Sequence, residues 1–414
     1  MSALQPVRGT RDILPDEMRR QRAVIDIARE TAERYGYLEM ATPIFEFTEV
    51  FKRTLGDTSD IVTKEMYTFS MKEGEQITLR PENTAGVARA LMSGGLSQQL
   101  PLKYFYAGPM FRHERPQKGR QRQFHQIGAE LLGVPKPQGD IELIALGAHI
   151  LSGLGVYENT KLELNTLGDT DSRQAYRAAL VEYFSDHSDA LSSDSRDRLE
   201  RNPLRILDSK NEGDRKLVAG APVFSDYLNA ESQDFFAAVK QGLERLNIAF
   251  ELNTRLVRGL DYYCHTAFEF TTDLLGAQSA VLAGGRYDGL VETMGGPATP
   301  GVGWAAGIER LSMLMDRDPP VPRPIAVIPV GQATEEIALT LTQKLRHAGY
   351  GVELGFSGNV GKRMKRANKL GARAAVLLGE DELANNSATI RDLDSGEQEL
   401  VSLDAVIEHL ARYR

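Results

Sequence analysis

Four prolines crowd the nine residues 316–324, DRDPPVPRP. Proline lacks the amide donor that helix and sheet need, and it pushes the preceding residue toward extended backbone, so no regular element crosses this stretch. The chain therefore splits into a large amino-terminal part, 1–318, and a small carboxy-terminal part, 324–414, joined by a stiff linker. With 414 residues, 42% of them hydrophobic and 26% charged, there is room for a sizeable core, and disorder or collagen-like repeats are excluded. The single cysteine, Cys264, excludes an intrachain disulfide and a multi-cysteine zinc site, and the seven histidines show no HExxH spacing. No stretch approaches the roughly 18 apolar residues of a membrane span, and the amino terminus lacks the apolar run of a signal peptide, so the chain reads as cytosolic with no membrane partner.

Within the large part, Ile25, Ala28, Ala32 and Tyr35 fall at helical spacing after Pro15 and two carboxylates, and Gly36 ends the pattern. This spacing predicts an amphipathic helix. From about 40 to 150, short apolar stretches alternate with turns and one long helical pattern near 83–95, which predicts an antiparallel sheet with helices. The texture between about 170 and 236 is charged and serine-rich, and reads as a helical insertion. Beyond the linker, PIAVIPV, a helix near 334–348, GVEL, a helix near 360–370 and RAAVLLG alternate at short intervals, which predicts a small α/β domain.

The segment FRHERPQKGRQRQFHQIGAE, 111–130, crowds Arg112, Arg115, Lys118, Arg120 and Arg122 into a loop whose only internal counterion is Glu114. Its flanks read as strands, so a hairpin throws the arginines to one end while Phe124, Gln126, Gly128 and Glu130 share a face. Arginine forks match phosphate oxygens, and Phe124 offers a ring for a base. A solvated charged hairpin explains the basic count alone. Gln126 and Glu130 on a strand face suggest more, because a buried carboxylate needs a partner.

In LVRGLDYYCHTAFEF, 256–270, Arg258, Asp261, Tyr262 and Tyr263 cluster before a strand, where a purely structural Arg–Asp pair is the alternative reading. ITLRPENTAGVARA, 77–90, brings Arg80, Glu82 and Thr84 to the start of a helix; a carboxylate and hydroxyl there suit a substrate ammonium, or simply cap the helix. The glycines of GGPATPGVGWAAGIERL, 295–311, have the wrong spacing for a dinucleotide fingerprint, and no GxxxxGK[ST] is present. On a helix, Lys362, Lys365, Arg366 and Lys369 of NVGKRMKRANKLGAR share a face, which fits a phosphate backbone or a solvated surface.

Together these segments closely resemble the histidyl-tRNA synthetases, class II aminoacyl-tRNA synthetases, over essentially the whole chain. RGTRDILP (8–15) is similar to the family's amino-terminal signature, GYLEMATPIFE (36–46) to motif 1 at the dimer interface, FRHERPQKGR…QFHQIGAE to motif 2 and GVGWAAGIERL to motif 3, while RGLDYY and GGRYDGL resemble the two histidine-specific motifs. The resemblance implies an α+β class II core, an antiparallel sheet flanked by helices and interrupted by the helical insertion, plus a carboxy-terminal α/β anticodon-binding domain. It implies that histidine and ATP give histidyl-adenylate and pyrophosphate, after which the terminal ribose of tRNA(His) attacks the acyl carbon.

On this resemblance Arg112 and Arg258 flank the α-phosphate as the catalytic cations, Arg112 also meeting the histidine carboxylate region and Arg258 also belonging to the histidine site. Glu114, Arg120, Phe124 and Arg310 complete the ATP site, Phe124 stacking on adenine and Arg310 holding the γ-phosphate. Glu82, Thr84 and Gln126 take the α-amino group; Glu130 and Tyr263, with Tyr262 close by, face the imidazole. Two polar groups facing the ring reject amino acids without its nitrogens, so no editing domain is needed. Arg115 and Gln117 meet the acceptor end of tRNA, and Lys362, Arg363, Lys365 and Arg366 lie in the anticodon-binding domain. Magnesium arrives with ATP, and no protein-bound structural metal is expected. Asn83 stands where the family's PEGTA segment has glycine, which leaves the local backbone shape open, and Cys264 reads as a small buried side chain.

Two rival readings share the core: a non-catalytic paralogue that regulates the first enzyme of histidine biosynthesis, and a scaffold that forms adenylate without charging tRNA. The formal net charge of -8 argues mildly against a nucleic-acid partner, but the basic residues concentrate in two segments, and local field rather than net charge meets phosphates.

Overall fold

The computed structural model describes residues 4–56, 61–72, 74–116, 119–207, 209, 211–257, 262–276 and 280–414. It divides into two compact units, Met1–Pro319 and Pro320–Arg414, with the boundary inside the proline run.

In the first unit the strands are β1 (Leu38–Glu39), β2 (Phe45–Phe47), β3 (Tyr67–Ser70), β4 (Gln76–Leu79), β5 (Leu102–Phe111), β6 (Gln123–Leu132), β7 (Lys161–Thr166), β8 (Glu251–Leu252), β9 (Cys264–Thr271), β10 (Ala280–Arg286) and β11 (Gly301–Gly307). Its helices are α1 (Pro15–Arg34), α2 (Thr48–Leu55), α3 (Thr84–Ser93), α4 (Pro137–Gly153), α5 (Thr170–Asp186), α6 (Ser193–Arg201), α7 (Glu212–Ala219), α8 (Ala230–Arg245), α9 (Leu290–Thr293) and α10 (Ile308–Leu314). Among the described residues, an eight-stranded sheet runs in the order β1-β5-β6-β11-β10-β9-β7-β8, and β2, β4 and β3 make a small second sheet. The large sheet is antiparallel except at its edges, where β1 joins β5 and β8 joins β7 in parallel.

Strand periodicity separates its two faces. Ile127, Ala129 and Leu131 of β6 and Val302, Trp304 and Ala306 of β11 pack against α1, α4, α8 and α10 in one apolar core, while the alternate residues face the other way. The amphipathic helix forms as its spacing predicts, with Val24, Ala28 and Ala32 fully buried, and it ends at Gly36, whose φ of 78° suits a residue without a Cβ.

The insertion leaves the sheet after β7 and returns through α8. It has its own core of Tyr176, Leu180, Phe184, Leu191, Ile206, Val218 and Phe224. Fully buried Asp214 organises it, accepting from the hydroxyls of Ser192 at 2.7 Å, Ser195 at 2.6 Å and Ser209 at 2.6 Å. Against the cost of burial, the Ser192 amide at 2.8 Å and then these hydroxyls hold its carboxyl down at about 2. Residue 236 falls inside α8, whose Val239 and Leu243 belong to the core of the main sheet.

The second unit is a five-stranded sheet ordered β13-β12-β14-β15-β16, from strands β12 (Ile325–Pro329), β13 (Val352–Leu354), β14 (Ala374–Leu378), β15 (Ser387–Asp392) and β16 (Gln398–Ser402). β12 pairs in parallel with β13 and β14, joined by α11 (Glu335–His347) and α12 (Val360–Lys369), while β15 and β16 add antiparallel.

Candidate active site

A cavity of about 490 Å³ opens on the face of the large sheet opposite α1 and α4. The β5–β6 hairpin places Met110 opposite Phe124, Gly108 opposite Gln126, Tyr106 opposite Gly128 and Tyr104 opposite Glu130. Phe124 and Gln126 line the cavity, as do Glu82, Thr84, Arg112, Glu114, Arg120, Tyr262, Tyr263 and Arg310. The structure thus brings ten of the expected site residues to one space.

Arg112 lies over the Phe124 ring, 5.3 Å from its centroid, and its Nε donates to the Pro81 carbonyl at 2.9 Å, beside Glu82. Arg120 pairs with Glu114 at 2.7 Å. Arg310, at the start of α10, donates to the carbonyls of Ala280 at 2.5 Å and Gly119 at 3.3 Å. Burial, and then repulsion from Arg120, lowers its pKa, a cation poised to gain from an anionic ligand. Glu309 is committed elsewhere: its carboxylate accepts from the His125 amide at 3.0 Å and meets His125 Nδ1 at 2.8 Å.

Glu82 both lines the cavity and caps α3, accepting from the amides of Thr84 at 2.7 Å and Ala85 at 3.0 Å. Burial raises its pKa. Helix capping and a place in the cavity, read from the sequence as alternatives, therefore hold together. Asn83 has φ −115°, a region open to any residue, and its Oδ1 accepts from Thr42 Oγ1 at 2.6 Å and Arg80 at 3.1 Å. Its backbone therefore needs no glycine, although its Nδ2 is buried without a partner among the described residues. Gln126 Oε1 is buried without a protein donor among the described residues, which suits a group waiting for a ligand's N–H.

Glu130 is fully buried and lies behind the cavity lining. Thr84 Oγ1 donates to its carboxylate at 2.7 Å, Tyr287 OH at 2.5 Å and Tyr106 OH at 3.4 Å. Burial nevertheless dominates, and its pKa is pushed up to about 8. Tyr262 and Tyr263 stack tilted at 4.6 Å, with Tyr287 5.8 Å from Tyr262.

Two of the glycines that failed as a nucleotide fingerprint, Gly301 and Gly303, have a definite task here, as do Gly128 and Gly285. A Cβ on Gly303 would collide with the Glu130 carboxylate, one on Gly301 with the Tyr287 ring, one on Gly128 with the Tyr106 hydroxyl, and one on Gly285 with the Tyr263 ring. Each lies on β6, β10 or β11, and each makes room for one polar side chain. The Arg of GGRYDGL is a mount rather than a ligand. Arg286 is completely buried, pairs with Asp140 of α4, donates to the Val134 carbonyl at 2.9 Å and lies over Phe235 at 5.1 Å. Breaking such a buried pair costs about 3–5 kcal/mol.

Tyr106, Tyr287 and Glu309 had no assigned role in the sequence, although Tyr106 lies across the hairpin from Gly128 at a position where strand alternation points toward the cavity. Arg258 and Gln117 lie outside the described residues. Arg115 follows Glu114 on the hairpin loop but is not among the cavity lining. In the second unit Lys362, Lys365 and Arg366 are exposed on α12, and Arg366 pairs with Glu353 at 2.6 Å. Arg363 turns inward, its side chain 8% exposed, to the Pro329 carbonyl and Glu335. Cys264, expected to be buried, is partly exposed and lines a hollow, and desolvation pushes its thiol up to about 12.

An antiparallel sheet that backs one face with helices and opens the other to an arginine-flanked aromatic platform and a buried carboxylate defines a class II aminoacyl-tRNA synthetase. The comparisons narrow this. The histidyl-tRNA synthetase family model matches residues 9–311, and the anticodon binding domain model matches 324–413. The chain is 64% identical to the histidine--tRNA ligase of Rhodospirillum rubrum over 414 residues, covering 100% of both chains, and 57% identical to that of Gluconacetobacter diazotrophicus, covering 99% of both. The apo histidyl-tRNA synthetase of S. aureus superposes with a TM-score of 0.83 at 35% identity, covering 98% of this chain and 99% of that one. The chain belongs to the histidyl-tRNA synthetase family. A regulatory-subunit paralogue is not favoured, since the ligase relatives extend through the anticodon-binding domain.

Proposed function

We propose that this chain attaches L-histidine to tRNA(His) in two steps: histidine and ATP form histidyl-adenylate with release of pyrophosphate, and the terminal ribose of the tRNA then takes the histidyl group. The observation that carries the reading is a single cavity that gathers Arg112, stacked over Phe124, with Glu82, Thr84, Tyr262 and Tyr263. A nucleotide base on Phe124 and an amino acid at Glu82 and Tyr263 share that cavity, within which the carboxylate attacks the α-phosphorus.

No side chain need act as nucleophile, because carboxylate and ribose hydroxyl supply both attacks. Arg112, together with Arg258, offsets the charge that builds on the α-phosphate; Arg310 binds the γ-phosphate, and the Arg120–Glu114 pair borders the nucleotide. Glu82, Thr84 and Gln126 hold the α-amino group, and Glu130 and Tyr263, with Tyr262 beside them, hold the imidazole. Arg115 and Gln117 meet the acceptor end of the tRNA. Lys362 and Lys365, exposed on α12, meet its phosphates, whereas Arg363 braces the helix. The carboxylate of Glu269, which lines the cavity and acts electrostatically on Arg310, is of the hard-oxygen type that would hold a magnesium ion brought with ATP, which would supply charge neutralisation at the phosphates.

The protein works as a homodimer in the cytoplasm. Leu38, Ile44, Phe45, Phe47, Phe69 and Met71 are all exposed on or beside β1, β2 and β3, an apolar surface that a second copy would cover. No described helix is long and apolar enough to cross a membrane. Histidine-dependent ATP–pyrophosphate exchange tests the first step. Its absence with histidine and magnesium-ATP refutes the proposal, and exchange without charging of tRNA leaves only the adenylate-forming scaffold.

A further inference from the structure

We propose that Arg173, on the first helix of the insertion, is a positioning residue for the histidine pocket. The inference rests on the reading above that Tyr263 faces the imidazole. Arg173 Nη1 donates to the Tyr263 carbonyl at 2.6 Å, so a side chain of the insertion fixes the backbone of a pocket residue. A charged donor on a carbonyl makes a stronger bond than a neutral one.

The mount of this arginine is itself fixed. Asp169 caps α5 by accepting from the Ser172 amide at 2.8 Å, and its other oxygen accepts from Asn229 Nδ2 at 2.6 Å, which ties the start of α5 to the start of α8. The chain enters the insertion through two short backbone bonds beside the pocket strand: the Leu167 amide donates to the His265 carbonyl at 2.6 Å and the His265 amide to the Gly168 carbonyl at 2.7 Å. His265 has φ 43°, a left-handed conformation that a non-glycine residue keeps only when its surroundings enforce it.

Tyr263 is itself buried, but on the side of the insertion its neighbour Tyr262 borders open space among the described residues. A hollow of about 380 Å³ lies there, lined by Tyr262, Cys264, His265, Asp288 and Arg173 itself. Arg173 spans that hollow to the Tyr263 carbonyl, while Gly285 closes against the Tyr263 ring from the sheet side. The insertion thereby acts on histidine recognition through the backbone of a pocket residue.

Steady-state exchange with R173A tests this. The KM for histidine rises about tenfold, the size of a lost charge-assisted bond, while the KM for ATP and the melting temperature stay near the wild-type values. R173K recovers part of the loss, because an ammonium reaches a carbonyl without the fork. Should R173A fail to fold, R173M, which keeps the apolar stem along the hollow, carries the same expectation. Wild-type histidine KM in a folded R173A or R173M overturns the proposal, as does a parallel rise of both KM values with loss of melting temperature. Y263F separates the two levels: an unchanged histidine KM there sinks the pocket assignment itself, whereas a raised one beside a normal R173A sinks only the positioning role.

Discussion

Histidine binding should depend on pH through Glu130 in a way that its surroundings set. With its carboxyl pushed up to about 8, Glu130 is about nine-tenths protonated at pH 7 in the ligand-free protein. A free imidazole titrates near 6.5, so it is mostly neutral there. The bound pair needs one proton between carboxylate and ring. Between about 6.5 and 8 one proton is already present, and binding neither takes up nor releases much. Above about 8 both partners have lost it, binding must take up a proton, and affinity falls about tenfold per pH unit. Replacing Glu130 by Gln removes the site. Thr84 and Tyr287 donate to different carboxylate oxygens, and an amide offers one acceptor, so the exchange also disturbs that network. A charged hydrogen bond worth about 1.5–3 kcal/mol converts to a ten- to hundredfold weaker affinity for E130Q at pH 7. Isothermal titration of both proteins with histidine from pH 7 to 9.5 provides the assay. The ligand's amino group titrates alike in both, so the ratio of affinities isolates Glu130. That ratio should shrink above pH 8; a constant ratio, or E130Q binding as tightly as wild type, refutes the reasoning. Stability follows the same shift. The folded state keeps a proton that the unfolded chain loses above about 4.3, so ligand-free wild type loses stability relative to E130Q as pH rises from there to about 8.

Three other outcomes are expected. Gly303→Ala forces its new methyl against the Glu130 carboxylate, so exchange assays should show a histidine KM raised at least tenfold, and a wild-type KM would mean the carboxylate is free to move aside. Asp214→Asn removes an acceptor of three serine hydroxyls, and limited proteolysis should cut the insertion first; in the wild type this stabilisation is complete above about pH 4 and lost as pH falls through about 2. Removing exposed Lys362, Lys365 and Lys369 together should weaken tRNA binding and flatten its salt dependence by about 0.7 in slope per lost contact, with exchange unchanged, whereas Arg363→Ala should lower the melting temperature of the second unit and leave the slope alone.

Much of the fold was legible because its signals are local. The proline run that divides the units, the helix of Val24, Ala28 and Ala32, and the β5–β6 hairpin with its arginine loop all follow from backbone restriction or from a period of 3.6 or 2. Site residues carried by such a pattern, Phe124 and Gln126 among them, could be placed on the correct face before any coordinates. Family resemblance supplied roles that spacing alone left open, as with Tyr263, where a structural ion pair in the same segment was an equal reading.

Chemical identity and local period, then, are written in the chain itself: where the arginines cluster, which strand face is polar, where no element can pass. Tertiary structure alone decided who meets whom. Gly303 yields space to Glu130 because β11 pairs with β6 in one register, and a slip of one residue would put Trp304 there instead. Tyr287 reaches Glu130 across 157 positions, Arg173 reaches the Tyr263 carbonyl across 90, and Arg363 leaves the basic stripe for the interior of its unit. Such contacts depend on strand order and register, which long-range packing selects, and no window of sequence contains both partners.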